Sequence, residues 1–486
     1  MSDAASQSPD PPRARPQLFE TLSIGGITII TLAIVSTIAT AVWPIPERSG
    51  LEFWTFARNH QVLYEEIASS DTNADGAATP EIDFQVIDYA ALQRRMLSGF
   101  WSGTPLPDLV EIERNAFPQY MAGPIDEVGF IDLKPLLEAE GLLDGINGPS
   151  FSPWSRDGRI FGLPHDIHPV LLCYREDLVD LVGIDMPSIE TWDDFTREMK
   201  KLVVDLDGDG TPDRYPINLW YTQMGQIEAL MLQAGGGTFD TDGQPLIASP
   251  ANARVLAQSV AWMVGPDRIA IDAPNFDANG YQLKLDGRVV CEIMPDWLAG
   301  VYKLDLPRLS GKLRLMPLPA WDPGGKRTTV MGGTMLGIPK ATDDFDNAWI
   351  AAKQLYLSED LAERLFVTNH IISPVRRFWG LPFYHQPDPF FSGQRSGTAF
   401  LDQARDVPIR TSHPFHQMAL NRIGDALTSL YKEAADGEIV PIDQINADTL
   451  RPRAEQLLAE AQALVEAEMA RNVFVGTQAG ERGGDE

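Results

Sequence analysis

The stretch Gly158-Arg-Ile-Phe-Gly-Leu-Pro164, running on through His165 to Leu178, constrains this chain more than any other. Asp157-Gly158 reads as a turn and Ile160-Phe161 as a short apolar strand. Gly162 and Pro164 then break it, because one relaxes φ while the other fixes φ and removes a donor. Val170 to Tyr174 is a second apolar run, and Arg175-Glu-Asp177 returns the chain to water. A strand, a polar break and a continuing strand is what a chain needs to cross from one lobe to another.

Two lobes also suit the length, since 486 residues exceed what one core serves. A net charge of −29 argues against nucleic acid, whose phosphates would repel it, and against docking on anionic lipid. With 44% hydrophobic and 22% charged residues the composition is that of a globular body.

Thr21 to Pro46 carries no charged side chain, and Ile24 to Val42 is dominated by Ile, Ala, Thr and Val. About 20 apolar residues span a bilayer core. Arg13 and Arg15 precede the segment, which favours the N-terminus inside and the bulk outside. The expectation is a transmembrane signal anchor over 21–46 behind a cytoplasmic tail, 1–20. The rival is a signal peptide cleaved at Ala39-Thr40-Ala41, releasing the chain to the periplasm. No cysteine lies nearby, so a lipid-anchored lipoprotein is excluded. The two cysteines, Cys173 and Cys291, each sit in an apolar strand-like run and read as buried thiols, with a single bridge as the alternative.

The sharpest local motif is Asp205-Leu-Asp-Gly-Asp-Gly-Thr-Pro-Asp213. Asp205, Asp207, Asp209, the Thr211 carbonyl and Asp213 fall at calcium-loop positions one, three, five, seven and nine, with Gly210 at the turn. Pro216 stands where the closing glutamate belongs. A structural Ca2+ is the expected cofactor, an acidic turn the alternative. Asp71 to Glu81 imitates such a loop less well and reads as a polar connection. His165–His168 and His413–His416 lack the spacing of a helical zinc motif. Gly324-Gly-Lys-Arg-Thr-Thr329 lacks the first glycine of a phosphate loop, and no G-x-S-x-G element occurs.

The Gly158–Leu178 stretch, with Thr191-Trp-Asp-Asp-Phe195 after it, resembles the first interlobe crossing of the extracellular solute-binding proteins of ABC importers, in their carbohydrate-binding class. The likeness continues in Leu51-Glu-Phe-Trp-Thr-Phe56, Pro107–Ile112, Asp286–Trp297, Leu313–Leu318, Thr328–Pro339 and Ile372–Arg376. It implies an α/β fold of two lobes joined by three crossings, with residues 50–168 and 317–375 in lobe 1, 169–316 and 376–472 in lobe 2, and a disordered tail over 473–486.

The resemblance further implies a non-enzymatic substrate-binding component that delivers a sugar or oligosaccharide to ABC permease subunits. An extracytoplasmic carbohydrate-active enzyme and a ligand-sensing subunit of a membrane receptor are the alternatives. Trp54, Phe56, Trp220, Tyr221 and Trp297 offer flat faces to sugar rings. Glu111, His168, Arg376 and Arg410 offer hydrogen bonds to hydroxyls. Gly332 and Gly333 let a ligand approach the backbone.

Overall fold

The computed structural model describes residues 24–42, 50–69 and 80–471. The expected cytoplasmic tail, the C-terminal tail and most of the Asp71–Glu81 connection lie outside the described residues. Met1–Arg48 and Ser49–Glu486 are separate units. In the first, a helix covers Ile24–Val42, with no acidic residue in its first turn and no basic one in its last. Its 19 residues rise about 28 Å at 1.5 Å each. Among the described residues, no helix is long and apolar enough to cross a membrane; within Ile24–Val42 the described side chains run from 25 to 38.

The body is built on two five-stranded sheets. In the first, Leu51–Thr55 lies parallel to both Ile82–Val86 and Leu109–Glu113, and Thr334–Gly337 runs antiparallel beside Leu109–Glu113. Leu163–Pro164 closes its edge against Met335 and Leu336. Pro164 therefore belongs to a strand rather than breaking one, which an edge position tolerates because no partner there needs its missing N–H. The polar break falls instead at 165–169. In the second sheet Val170–Arg175 pairs antiparallel with Val289–Pro295 and Leu313–Pro317, and Tyr215–Asn218 extends the sheet to Ala270–Ile271.

Side-chain alternation along these strands sorts the apolar residues into three cores. Trp54, Val110, Ile112 and Met335 fill one face of the first sheet. Leu172, Ile217, Cys291 and Ile293 fill one face of the second, under the helices Pro250–Met263, His416–Ala435 and Ala447–Arg471. The third core is continuous from Phe53, Leu109 and Leu336 of the first sheet to Leu171, Cys173, Met294 and Leu315 of the second. Cys173 and Cys291 are accordingly free and buried in different cores, one register step apart on neighbouring strands.

Helix starts follow the side-chain chemistry at their ends. Thr191 and Asp194 form the capping box of Trp192–Met199, and Ser249 caps Pro250–Met263 ahead of a proline at its first position. The chain passes between the sheets at 165–169 and again at 318–333. Beyond the last passage the Gln394 amide binds both the N–H and the carbonyl of Leu315, each at 2.8 Å, and so docks on the second sheet's edge.

Candidate functional site

The first crossing carries a buried ionic chain from one lobe to the other. His165 N donates to the Thr334 carbonyl, and Thr334 N donates to Asp166 Oδ2. His168 adopts φ 55°, a left-handed conformation that turns its ring back over Asp166. Its Nε2 lies 2.9 Å from Asp166 Oδ2 and its Nδ1 2.6 Å from Asp296 Oδ1. Asp296 opens the helix Asp296–Asp305 and also accepts from Trp297 N and from Ile372 N. All three side chains are buried. Burial alone would lower the His168 pKa, but the Asp166 and Asp296 carboxylates push it up to about 10. Burial likewise opposes ionisation of Asp166, yet His168 and His165 hold it well below the usual carboxylate range.

A second buried pair also joins the lobes. Arg114, directly after the strand Leu109–Glu113, binds Glu228 of the helix Gly225–Gln233. His416 Nε2 lies 3.2 Å from Arg114 and 3.6 Å from Glu228, and its Nδ1 meets Thr238 Oγ1 at 2.8 Å. Burial, reinforced by Arg114 and Arg410, holds His416 at a pKa of about 4, so its ring is neutral. Arg410 donates to the Gly332 carbonyl. Burial and then Arg114 lower Arg410 to about 9.

Above this layer opens a cleft of about 360 Å³ between the lobes. Trp220, Phe276 and Trp297 form a row along its second-lobe wall, with ring centroids 6.1 and 6.2 Å apart and the last two nearly parallel. Trp297 Nε1 donates to the Met331 carbonyl at 2.9 Å. Amides stand among the rings: Gln226, Asn275, Gln417 and Asn421. Two of them are oriented from below by the buried Glu292, which accepts from Gln226 Nε2 and Asn275 Nδ2 and also from Asn218 and Tyr302. Gln226 Oε1 is thereby turned to accept from Trp220 N. An aromatic row with fixed amides can cover an apolar ring face and bond the hydroxyls at its edge.

The residues singled out from sequence divide into three groups. Trp220, Trp297 and Gly332 line the cleft. His168, Gly333 and Arg410 lie in the buried layer beneath it, the last two beside a small void with Trp154 and Asp166. The others lie elsewhere. Trp54 packs into the first-lobe core, with Nε1 on Glu52. Phe56 meets the edge of Tyr89, and Tyr221 packs against Tyr431. Arg376 is exposed and donates to the Asp144 carbonyl.

Glu111 departs furthest from expectation. It is fully buried and accepts from Thr55, His60, Tyr64 and Tyr356. Strand alternation explains this, since Glu111 shares its face with Leu109 and projects into the core instead of the cleft. Burial raises its pKa, but His60 above all, with His165 and Thr55, holds it at about 2.

Arg114, Glu228, Phe276 and Asn275 were not anticipated. For Arg114 a signal existed, because clefts in α/β proteins open beyond the carboxyl ends of parallel strands. Glu228 and Phe276 carry no comparable local mark.

The Asp205–Asp213 loop lies at the surface and takes no part in lining the cleft. Asp205 accepts from Gly208 N and Gly210 N, and Asp209 from Thr211 N. Carboxylate oxygens of Asp205, Asp207 and Asp209 lie within 4.8 Å of one another. Asp213 is drawn away, 2.6 Å from Arg288 and accepting from Leu206 N. Three carboxylates thus fit a calcium loop, while the fourth already has a cation.

Comparison with known proteins agrees with this architecture. A protein of Halalkalibacterium halodurans described as an arabinooligosaccharide-binding protein is 27% identical over 368 residues, spanning 74% of this chain and 79% of the relative. Its Bacillus subtilis namesake is 24% identical over 331 residues, 65% of this chain and 72% of the relative. Among solved structures, the sugar-binding protein MalE of Xanthomonas citri superposes with a TM-score of 0.64 at 19% identity, over 86% of this chain and 99% of its own. A binding protein of B. animalis subsp. lactis in complex with β-1,6-galactobiose gives 0.62 at 18% identity, over 85% and 98%. These two likenesses show the two-lobe fold. Residues 77–355 match the family of bacterial extracellular solute-binding proteins, and the chain belongs to that family.

Proposed function

We propose that this protein is the extracytoplasmic substrate-binding component of an ABC importer and holds a sugar or oligosaccharide between its lobes for permease subunits in the membrane. One observation carries the reading: the aromatic row Trp220–Phe276–Trp297 faces a cleft whose neutral amides are fixed from behind by Glu292. Relatives described as arabinooligosaccharide-binding make arabinose oligomers the first ligands to test. A binder is favoured over an enzyme because Glu228, a carboxylate at the cleft, is engaged by Arg114. The proposed lobes run 50–168 with 317–375, and 169–316 with 376–472. A thermal-shift panel of arabino-oligosaccharides, galactobiose and maltodextrins tests the reading, since a ligand of the folded state raises its melting temperature. Chromatography of the same mixtures reports cleavage. No shift with any saccharide, or turnover of one, overturns it.

The uncharged segment around Ile24–Val42 is proposed to anchor the body outside the membrane. Support comes from the uncharged run Thr21–Pro46 in the sequence and from the upstream arginines. Membrane fractionation with N-terminal sequencing decides it, and a soluble mature chain beginning near Val42 refutes it.

A Ca2+ ion is proposed in the Asp205–Asp209 loop, with the Thr211 carbonyl and water completing the shell. Calcium should raise the melting temperature, chelation should lower it, and Asp207→Ala should abolish both effects. An unchanged curve in chelator leaves an acidic turn.

A further inference from the structure

Three side chains that the cleft does not use converge in the first lobe. His60 comes from the helix Arg58–Ala68, Glu111 from the strand Leu109–Glu113, and His165 from the start of the first crossing. All three are buried, and each offers a ligand atom within 4.8 Å of the other two. The imidazole rings of His60 and His165 are 4.6 Å apart.

A second observation concerns His165 alone. Its Nδ1 faces Asp166 Oδ2 at 3.3 Å, while its Nε2 is buried without a hydrogen-bond partner. A buried polar atom of this kind is rare, because desolvation goes uncompensated. A histidine whose one nitrogen rests on a carboxylate while the other is free has the arrangement of a metal ligand, the carboxylate fixing its tautomer. Glu111 is held in the same manner: Thr55 binds its Oε2, and Tyr64 and Tyr356 bind Oε1 at 2.7 and 2.9 Å.

We propose that His60, Glu111 and His165 form a buried structural site for a zinc-class divalent ion. Two imidazoles and a carboxylate without sulfur are a zinc ligand set. Calcium and magnesium demand more oxygens than this pocket supplies. Binding through His60 Nδ1 replaces the 2.9 Å His60–Glu111 hydrogen bond, the neutral ring then carrying its single proton on Nε2. The ion would rivet the helix at His60 and the strand at Glu111 to the residue that begins the first crossing. Because Asp166 follows His165 directly, the rivet also steadies the carboxylate that pairs with His168.

The site is closed to solvent, so it is loaded while the chain folds. The test unfolds the full-length chain in chelator and refolds it with Zn2+, with Co2+, or with neither. Loose ions are then removed, and retained metal is measured with the melting temperature and, for Co2+, the visible spectrum. The expected result is about one ion retained per chain, a higher melting temperature, and cobalt bands of low-coordinate nitrogen and oxygen ligation. Retention should persist in Asp207→Asn, which spoils only the exposed loop, and fall at least about tenfold in His60→Gln, whose lost donor atom breaks the ligand set. Wild-type chain that refolds fully without retaining either ion overturns the proposal, whether or not the variant folds. So does a folded His60→Gln chain that retains zinc as well as wild type.

Discussion

Trp297 reaches out of the second lobe and gives its indole N–H to the carbonyl of Met331, on the second crossing, at 2.9 Å. The residue after Met331 is what allows the approach. Gly332 has φ 99°, and a Cβ there would stand 2.8 Å from the indole nitrogen and 3.0 Å from His168 Cδ2. Both the backbone conformation and the space exclude a side chain. Gly332→Ala should therefore leave each lobe folded but hold the cleft apart, weakening ligand binding by about tenfold or more, a 1.4 kcal/mol effect. Calorimetry against the wild-type ligand measures it; equal affinity would mean that closure does not need this contact.

Removing the ring itself should cost more. A buried aromatic anchor at an interface is worth about 2–4 kcal/mol. Trp297→Ala should thus weaken saccharide binding about 30- to 1,000-fold, at 1.4 kcal/mol per decade. Circular dichroism of the unliganded variant should match wild type. Unchanged affinity in a well-folded variant would assign the cleft to other residues.

The His168 bridge makes stability depend on pH with a defined sign. The folded pKa of about 10 lies above the ordinary 6.5, so the folded state holds the proton more tightly. The stabilisation is complete below about pH 6.5 and is lost as pH rises through about 10. Melting temperature should fall across that window. In His168→Asn, which tolerates the left-handed backbone, the fall should flatten and the protein should be less stable at pH 6. Parallel pH slopes in the two proteins would contradict the assignment.

Arg114 and Glu228 are two charges taken out of water together. Deleting one strands the other, at a cost of about 3–5 kcal/mol for a buried pair. Glu228→Gln keeps the shape and leaves Arg114 unbalanced beside Arg410; Arg114→Met removes the cation and leaves Glu228 beside a neutral His416. Each should destabilise the closed form, and the double variant should lose less than the sum of the two. Strict additivity in denaturant melts would show the pair to be uncoupled.

Sequence made the scaffold legible where local signals are strong. The capping box at Thr191–Asp194, the proline start at Pro250 and the long apolar runs at Val170 and Val289 all mark elements that form. The site was legible only where a residue adjoins such a run: Trp297 follows the strand ending at Pro295, and Gly332 precedes the strand at Thr334. Glu111 shows why the rest was not. Its place near a strand end pointed to the cleft, yet which face it takes depends on the helices packed over it, and those come from residues 58–68 and 345–356. Arg114 and Glu228 are 114 positions apart, and nothing short-range announces a partner so distant.

The core that runs unbroken from Phe53 and Leu336 to Leu171 and Met294 belongs to both lobes at once. A book with a glued spine can open its pages but cannot shed a cover. Melting either lobe would expose the other's share of that common apolar surface, so neither half has an independent melting point. Heating the body should give one endotherm with equal calorimetric and van't Hoff enthalpies, despite a size at which separate domains usually melt apart.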